Sequence, residues 1–186
     1  TLNTLIGGLA GDALTTGIDN VAVGARALGA EDGHGGNVAV GVDALMLLNA
    51  GADGFNTAVG YEAGKVMSTG RQNTIIGGYT GNGITTGWNN IALGYAALGT
   101  EDAGSGNIAI GVNALAAQDA GADAYNVAVG HSAGVAVTTG VYNTIVGGGA
   151  GDALTTGSYN TALGYTALSS EDTGGRNTAI GYAALI

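Results

Sequence analysis

The chain has 186 residues, of which 38 are Gly and none is Pro or Cys; four Lys plus Arg stand against fourteen Asp plus Glu, for a formal charge of −10. Glycine without proline excludes collagen, and 46% hydrophobic residues exclude a disordered linker. The lack of Cys excludes disulfide frameworks, thiolate zinc sites and Cys nucleophiles, and the acidic balance excludes a nucleic-acid groove as partner.

Along the chain, one motif recurs: Asn, then Thr, Val or Ile, then a small or aliphatic residue, then Val, Ile or Leu, then Gly. It begins at Asn3, Asn20, Asn37, Asn56, Asn73, Asn90, Asn107, Asn126, Asn143, Asn160 and Asn177. The step from one start to the next is constant, as from Asn3 to Asn20 and from Asn20 to Asn37. Only the steps from Asn37 to Asn56 and from Asn107 to Asn126 are longer, each by two positions. A longer period overlies this one, so that NTLIGGLAGDALTTG from Asn3, NTIIGGYTGNGITTG from Asn73 and NTIVGGGAGDALTTG from Asn143 align. Positions 1–186 therefore read as one repeat domain with super-repeats 3–72 and 73–142 and a partial one at 143–186. With its start at Thr1 and its apolar end at Ile186, the chain is expected to be a segment of a longer fibre.

A unit this short, Asn to Asn, leaves no room for a helical pair or a propeller blade. It suits one coil of a parallel β-solenoid, an all-β architecture of about eleven coils. The residues after each Asn are rich in β-branched types and predict a short strand, and the motif Gly predicts the corner. Asn at a constant place predicts a ladder of side-chain amides running from coil to coil. At about 4.8 Å per coil, the rod would be about 50 Å long.

With the motif Asn as position one, the fourth position is aliphatic throughout: Ile6, Val23, Val40, Val59, Ile76, Leu93, Ile110, Val129, Val146, Leu163 and Ile180. This column is expected to be the interior stack. The third position (Leu5, Ala22, Ala39, Ala58, Ile75, Ala92, Ala109, Ala128, Ile145, Ala162 and Ala179) is never polar. It is expected to be buried against neighbouring chains of a homotrimer, which would also account for a chain only 10% charged.

The outer turns alternate in pairs of coils. Thr- or Ser-Thr-Gly turns follow Gly at the ninth position, and acidic turns (Glu31-Asp32, Glu101-Asp102, Glu171-Asp172, with Asp53, Asp119 and Asp123 in the longer coils) follow Leu there. Recurrent acidic pairs read as solvated turns; Ca²⁺ is a candidate ligand for them, although the nonapeptide calcium signature is missing. No catalytic constellation is expected, because nearly every polar group recurs as a column and the two His, His34 and His131, are not repeat-equivalent. Tyr61, Tyr95, Tyr165 and Tyr182 follow the motif Gly; Phe55, Tyr125, Tyr142 and Tyr159 precede its Asn, and Trp88 lies two before. They are read as covering coil edges or chain seams, with sugar binding as the alternative.

The stretches NTALGYTAL, NTAIGYAAL, NIALGYAAL and NTAVGYEAG resemble the N-T-A-I-G-Y-x-A-L repeats of phage tail-fibre and related virion fibre proteins. They are also similar to the head repeats of trimeric autotransporter adhesins, whose coils are shorter. The resemblance implies a trimerised parallel β-roll or β-helix in a virion fibre or on a cell surface, without catalytic residues or a required cofactor. Its implied partners are the chain itself, neighbouring fibre segments and a cell-surface polysaccharide. Its implied role is a shaft or receptor-binding segment for host attachment, with an adhesin head as the alternative; the Thr-rich turns themselves raise an ice-binding solenoid as a further alternative. No membrane insertion is expected, since no run of 18 apolar residues occurs.

Overall fold

The computed structural model describes residues 2–170 and 172–186. Eleven three-residue strands form one parallel sheet in sequence order. They are β1 (Thr4–Ile6), β2 (Val21–Val23), β3 (Val38–Val40), β4 (Thr57–Val59), β5 (Thr74–Ile76), β6 (Ile91–Leu93), β7 (Ile108–Ile110), β8 (Val127–Val129), β9 (Thr144–Val146), β10 (Thr161–Leu163) and β11 (Thr178–Ile180). Each strand pairs in register with the next, so that Ala22 faces Ala39 and Ala128 faces Ile145. The fold is the expected β-solenoid, and among the described residues it contains no helix.

Outside the strands each coil is a chain of turns, and its amides still bond to the neighbouring coils. The seventh-position N–H donates to the sixth-position carbonyl of the preceding coil, as Glu62 does to Val42. The ninth-position N–H donates to the eighth-position carbonyl of the following coil, as Leu98 does to Ala114. Such turns need positive φ at the seventh and ninth positions and at the residue before each Asn. Leu, Tyr, Phe and Thr accept it there, as at Leu98 (52°), Tyr142 (57°) and Thr166 (50°). Each such residue costs about 1 kcal/mol or more, and the coil-to-coil ladders offset it.

At the corner after the strand only Gly will do. Gly130 has φ 138°, and a Cβ there would lie 2.6 Å from the carbonyl carbon and oxygen of Gly147 in the next coil. Corner stacks on corner along the whole rod, so the glycine column is a packing requirement as well as a conformational one.

The interior reverses the expected assignment of the two strand faces. The third position points inward: Ala22, Ala39, Ala58, Ile75, Ala92, Ala109, Ala128, Ile145 and Ala162 are fully buried within their own chain, not against neighbours. The column expected inside (Ile6, Val23, Val40, Val59, Ile76, Leu93, Ile110, Val129, Val146, Leu163 and Ile180) points outward, every member half-buried or exposed. The reason is volume. A coil this small encloses room for two Ala, at the third and eighth positions, and little more than one or two larger side chains.

Those larger side chains come from opposite walls. Every coil with Leu at the ninth position carries Ala at the third, as Leu28 goes with Ala22 and Leu98 with Ala92. A large aliphatic at the third occurs only with Gly at the ninth, as Ile75 goes with Gly81 and Ile145 with Gly151. A Cβ on Gly81 would meet Ile84 Cδ1 at 3.1 Å and Ile75 at 3.2 Å, so the space left by Leu is already filled. In the coils of Gly64 and Gly134 the third position stays Ala, and adjoining coils fill the gap. A Cβ on Gly64 would meet Leu45 Cδ2 at 3.0 Å and Ile75 Cδ1 at 3.1 Å.

Candidate functional site

Three surfaces could carry function: the inner polar column, the acidic turns and the outer sheet face with its aromatic flanks. The polar column runs through the motif Asn residues, buried from Asn20 to Asn160 and half-buried at Asn3 and Asn177. At every step the side-chain oxygen of one Asn accepts the backbone N–H of the next, at 2.8–3.2 Å. The amide nitrogen donates to the fifteenth-position carbonyl of its own repeat unit, as Asn90 does to Gly104 (2.9 Å) and Asn143 to Gly157 (2.9 Å). This second arm fails at the two longer steps. Asn37 reaches only Gly35 at 3.4 Å, and the amide nitrogen of Asn107 is buried without a partner. The inserted pair of residues shifts the carbonyl away. The column joins side chain to backbone at every step, and at three steps the expected amide-to-amide bond is also present, as Asn56 and Asn73 donate to the Asn before them at 3.2 Å and Asn160 at 3.1 Å, which makes it scaffolding.

The acidic turns differ from their expected character as solvated pairs. Asp32 and Asp102 are exposed, but Glu31 and Glu101 are fully buried, because the twelfth position faces the core. Glu171, the third of this column, lies outside the described residues. Glu31 Oε1 accepts the His34 N–H at 3.1 Å and lies 3.0 Å from His34 Nδ1, while Oε2 accepts the Ala50 N–H at 3.2 Å. Glu101 Oε1 accepts the Gly104 N–H at 2.8 Å. Desolvation holds the Glu101 carboxyl above the ordinary carboxylate range; the amides of Gly104, Ala120 and Asp102 oppose that, and Asp119 adds to it. Glu31, Asp32 and His34 each place one ligand atom within 4.8 Å of the others, the one such cluster among the described residues. Both Glu31 oxygens are already engaged by backbone donors, so a cation would have to displace bonds that hold the turn. His131 stands apart, exposed on another wall of the coil.

The outward strand face carries an unbroken aliphatic row, at the fourth position, along the rod. The fourth position is Val, Ile or Leu, with Ile6 60%, Leu93 41% and Ile180 66% exposed, and the second beside it is Thr, Val or Ile. Contiguous aliphatic surface on this scale is what interfaces use. Beside it run two aromatic files. Tyr79 sits edge-on between Tyr61 and Tyr95, at 5.3 and 5.8 Å. Tyr125, Tyr142 and Tyr159 stack in parallel at 5.6 and 5.2 Å, with the Arg176 guanidinium 5.4 Å over the last ring.

Most of the few cations are committed: Arg26 forms a two-pronged pair with Asp43 at 2.6 and 2.7 Å, and Lys65 lies 3.2 Å from Glu62. Asp43 is pulled below the ordinary carboxylate range by that hydrogen bond to Arg26, against the opposing effect of burial. Sequence reasoning passes over Tyr79, Arg71 and Gln72, which no repeat column marks. The usable signal is comparison of one super-repeat with the next, where Arg71 and Gln72 stand in place of Val141 and Tyr142. Compared with protein-family models, curated proteins and solved structures, the chain finds no match.

Proposed function

We propose that this chain is a structural fibre module, a shaft or receptor-binding segment of a phage tail fibre that mediates host attachment, located on a virion or other extracellular fibre and working as a homotrimer. The observation that carries the reading is the outward aliphatic face, continuous over eleven coils and uncovered in the single chain. Water-exposed Val, Ile and Leu in an unbroken stripe favour association, and equal coil spacing lets copies meet row for row. The trimer interface of this reading is thus the second- and fourth-position face, since the third-position column is used up inside the coil. Stiffness comes from the ladders, each coil stabilising its neighbours in a nearly one-dimensional way. The chain has no enzymatic role in this reading. Small-angle scattering with light scattering on the purified chain tests it. The expected result is three chains in a rod; a monomer at every concentration overturns the proposal.

A further inference from the structure

The Tyr125–Tyr142–Tyr159 stack has a counterpart one super-repeat earlier that keeps only its first ring. The equivalent residues are Phe55, Gln72 and Asn89. Their backbones are held alike: Gln72 donates to Gly54 at 2.7 Å as Tyr142 does to Ala124 at 2.8 Å, and Asn89 donates to Arg71 at 3.1 Å as Tyr159 does to Val141 at 3.0 Å. Only the side chains differ. Where Tyr142 fills the stack there is instead a cleft of about 330 Å³, lined by Asp53, Phe55, Arg71, Gln72 and Trp88. That volume falls in the range of small-ligand sites.

The changes at Phe55, Arg71, Gln72 and Trp88 bring binding groups to the cleft. Phe55 (60% exposed) and Trp88 (46%), from coils two steps apart, bring two aromatic rings to the gap. In the filled stack the Tyr125 hydroxyl lies 3.2 Å from Asp123 Oδ2. Phe55 has no hydroxyl, so Asp53, whose Oδ1 accepts the Gly35 N–H at 3.0 Å, keeps Oδ2 for a ligand. Val141 is replaced by Arg71, whose guanidinium makes no hydrogen bond or ion pair among the described residues. Ser158 is replaced by Trp88, the only Trp of the chain.

Two aromatic rings lining one cleft, edged by a carboxylate, a guanidinium and a carboxamide, match a pyranose. Its C–H faces meet aromatic rings and its equatorial hydroxyls need both donors and acceptors. We infer that a pyranose residue binds between Phe55 and Trp88 in the place of the missing middle ring, its hydroxyls held by Asp53, Arg71 and Gln72. This deepens the attachment reading and rests on it only for the source of the sugar, a surface polysaccharide.

Trp88 reports on the cleft directly. Its emission is followed while methyl glucopyranoside, methyl galactopyranoside and glucuronate are added to about 100 mM, far above the weakest affinity one site of this kind would show. The expected result is a saturable change with at least one of them. Gln72→Tyr, which restores the middle ring and keeps the melting temperature, is expected to abolish it, and Arg71→Ala to weaken it about tenfold. No saturable change with any pyranose overturns the proposal, as does an unaltered response in Gln72→Tyr or a response to phenol at lower concentrations than to the sugars. Chain mass measured on the same samples separates the two readings: sugar binding by a monomer keeps the cleft and overturns the trimeric fibre, whereas a trimer without sugar binding does the reverse.

Discussion

The two sides of each strand both carry an unbroken row of apolar residues, at the third and fourth positions, yet the rows do different work. Inward, Ala128 and its column neighbours touch the facing wall of the same coil and are fully buried. Outward, Val129 and its neighbours are larger but only half-buried. In a wide sandwich the larger aliphatics would be the core, but a narrow solenoid inverts that rule, since the enclosed volume decides what goes inside. Hydrophobicity then marks both sides, and only residue size separates the core from the surface offered to a partner.

A charge placed on either side breaks this comparison most sharply. Ala128→Asp puts an unpaired carboxylate where there is neither space nor a cation, at a cost of about 4 kcal/mol or more. Because coils depend on their neighbours, the stack should separate at β8, seen as a lost or split melting transition by circular dichroism. Val129→Asp leans into solvent and should cost the coil about 1 kcal/mol while dissociating the proposed trimer. Light scattering reads the second effect. Equal melting losses in the two variants would contradict the assignment of inside and outside.

The corner between the two sides comes next. Gly130→Ala meets both the disallowed φ and the carbonyl of Gly147, and should cost about 3 kcal/mol or more. Gly181 has φ 126°, and a Cβ there would meet nothing nearer than the Ala184 Cβ at 4.0 Å. Gly181→Ala should therefore cost about 1–2 kcal/mol, from backbone conformation alone. A comparison of thermal melts isolates the stacking contribution; similar losses would mean that stacking adds nothing.

The inner polar column allows a finer cut. Asn90→Ala removes the acceptor of the Asn107 N–H and the donor to Gly104, at about 2–3 kcal/mol. Asn107→Ala removes only the acceptor of the Asn126 N–H and relieves a buried amide nitrogen without a partner, at about 1 kcal/mol. Chemical denaturation of the pair checks the order. The reverse order would show that the longer coil satisfies its amide some other way.

Which of these features the sequence announces depends on whether they repeat. The period, the strands after each Asn and the corner glycines are written in columns and are legible. That an Asn recurs at one corner is legible too, but the amide-to-amide ladder is present at only three steps, since the oxygen pairs at every step with the backbone N–H of the next Asn. The inward side is misread as soon as residue size is taken as the mark of the core. The correcting signal lies in covariation: Leu at the ninth position always accompanies Ala at the third, and Ile75 and Ile145 occur only opposite Gly, as facing walls of one cavity require. The exchange of Glu31 and Glu101 for Ile84 and Leu154 at the twelfth position likewise betrays a buried site. The cleft at Gln72 is invisible to any single column, being a departure from the repeat.

The mildest test concerns how far the interior tolerates charge. Glu101 occupies the twelfth-position wall where other coils place Leu or Ile, and Gly104 N–H binds one oxygen while the other lacks a hydrogen bond of good geometry. Desolvation raises its folded pKa above the ordinary 4.5, so folding favours the protonated acid. That contribution is fully present below pH 4.5 and is lost as pH rises through the folded value. Asp43 acts in the opposite sense: its lowered pKa gives stability above pH 3.8 that disappears on acidification through the folded value. Glu101→Gln keeps the shape and the acceptor for Gly104 but cannot ionise. Relative to it, the parent chain should lose stability between pH 4.5 and 7, by less than any effect above, while the shared Asp43 contribution cancels in the difference. Denaturation curves for both chains at pH 4, 5, 6 and 7 measure that difference directly. A gap that stays constant across the range would mean that the carboxylate is as well solvated inside the coil as in the unfolded chain.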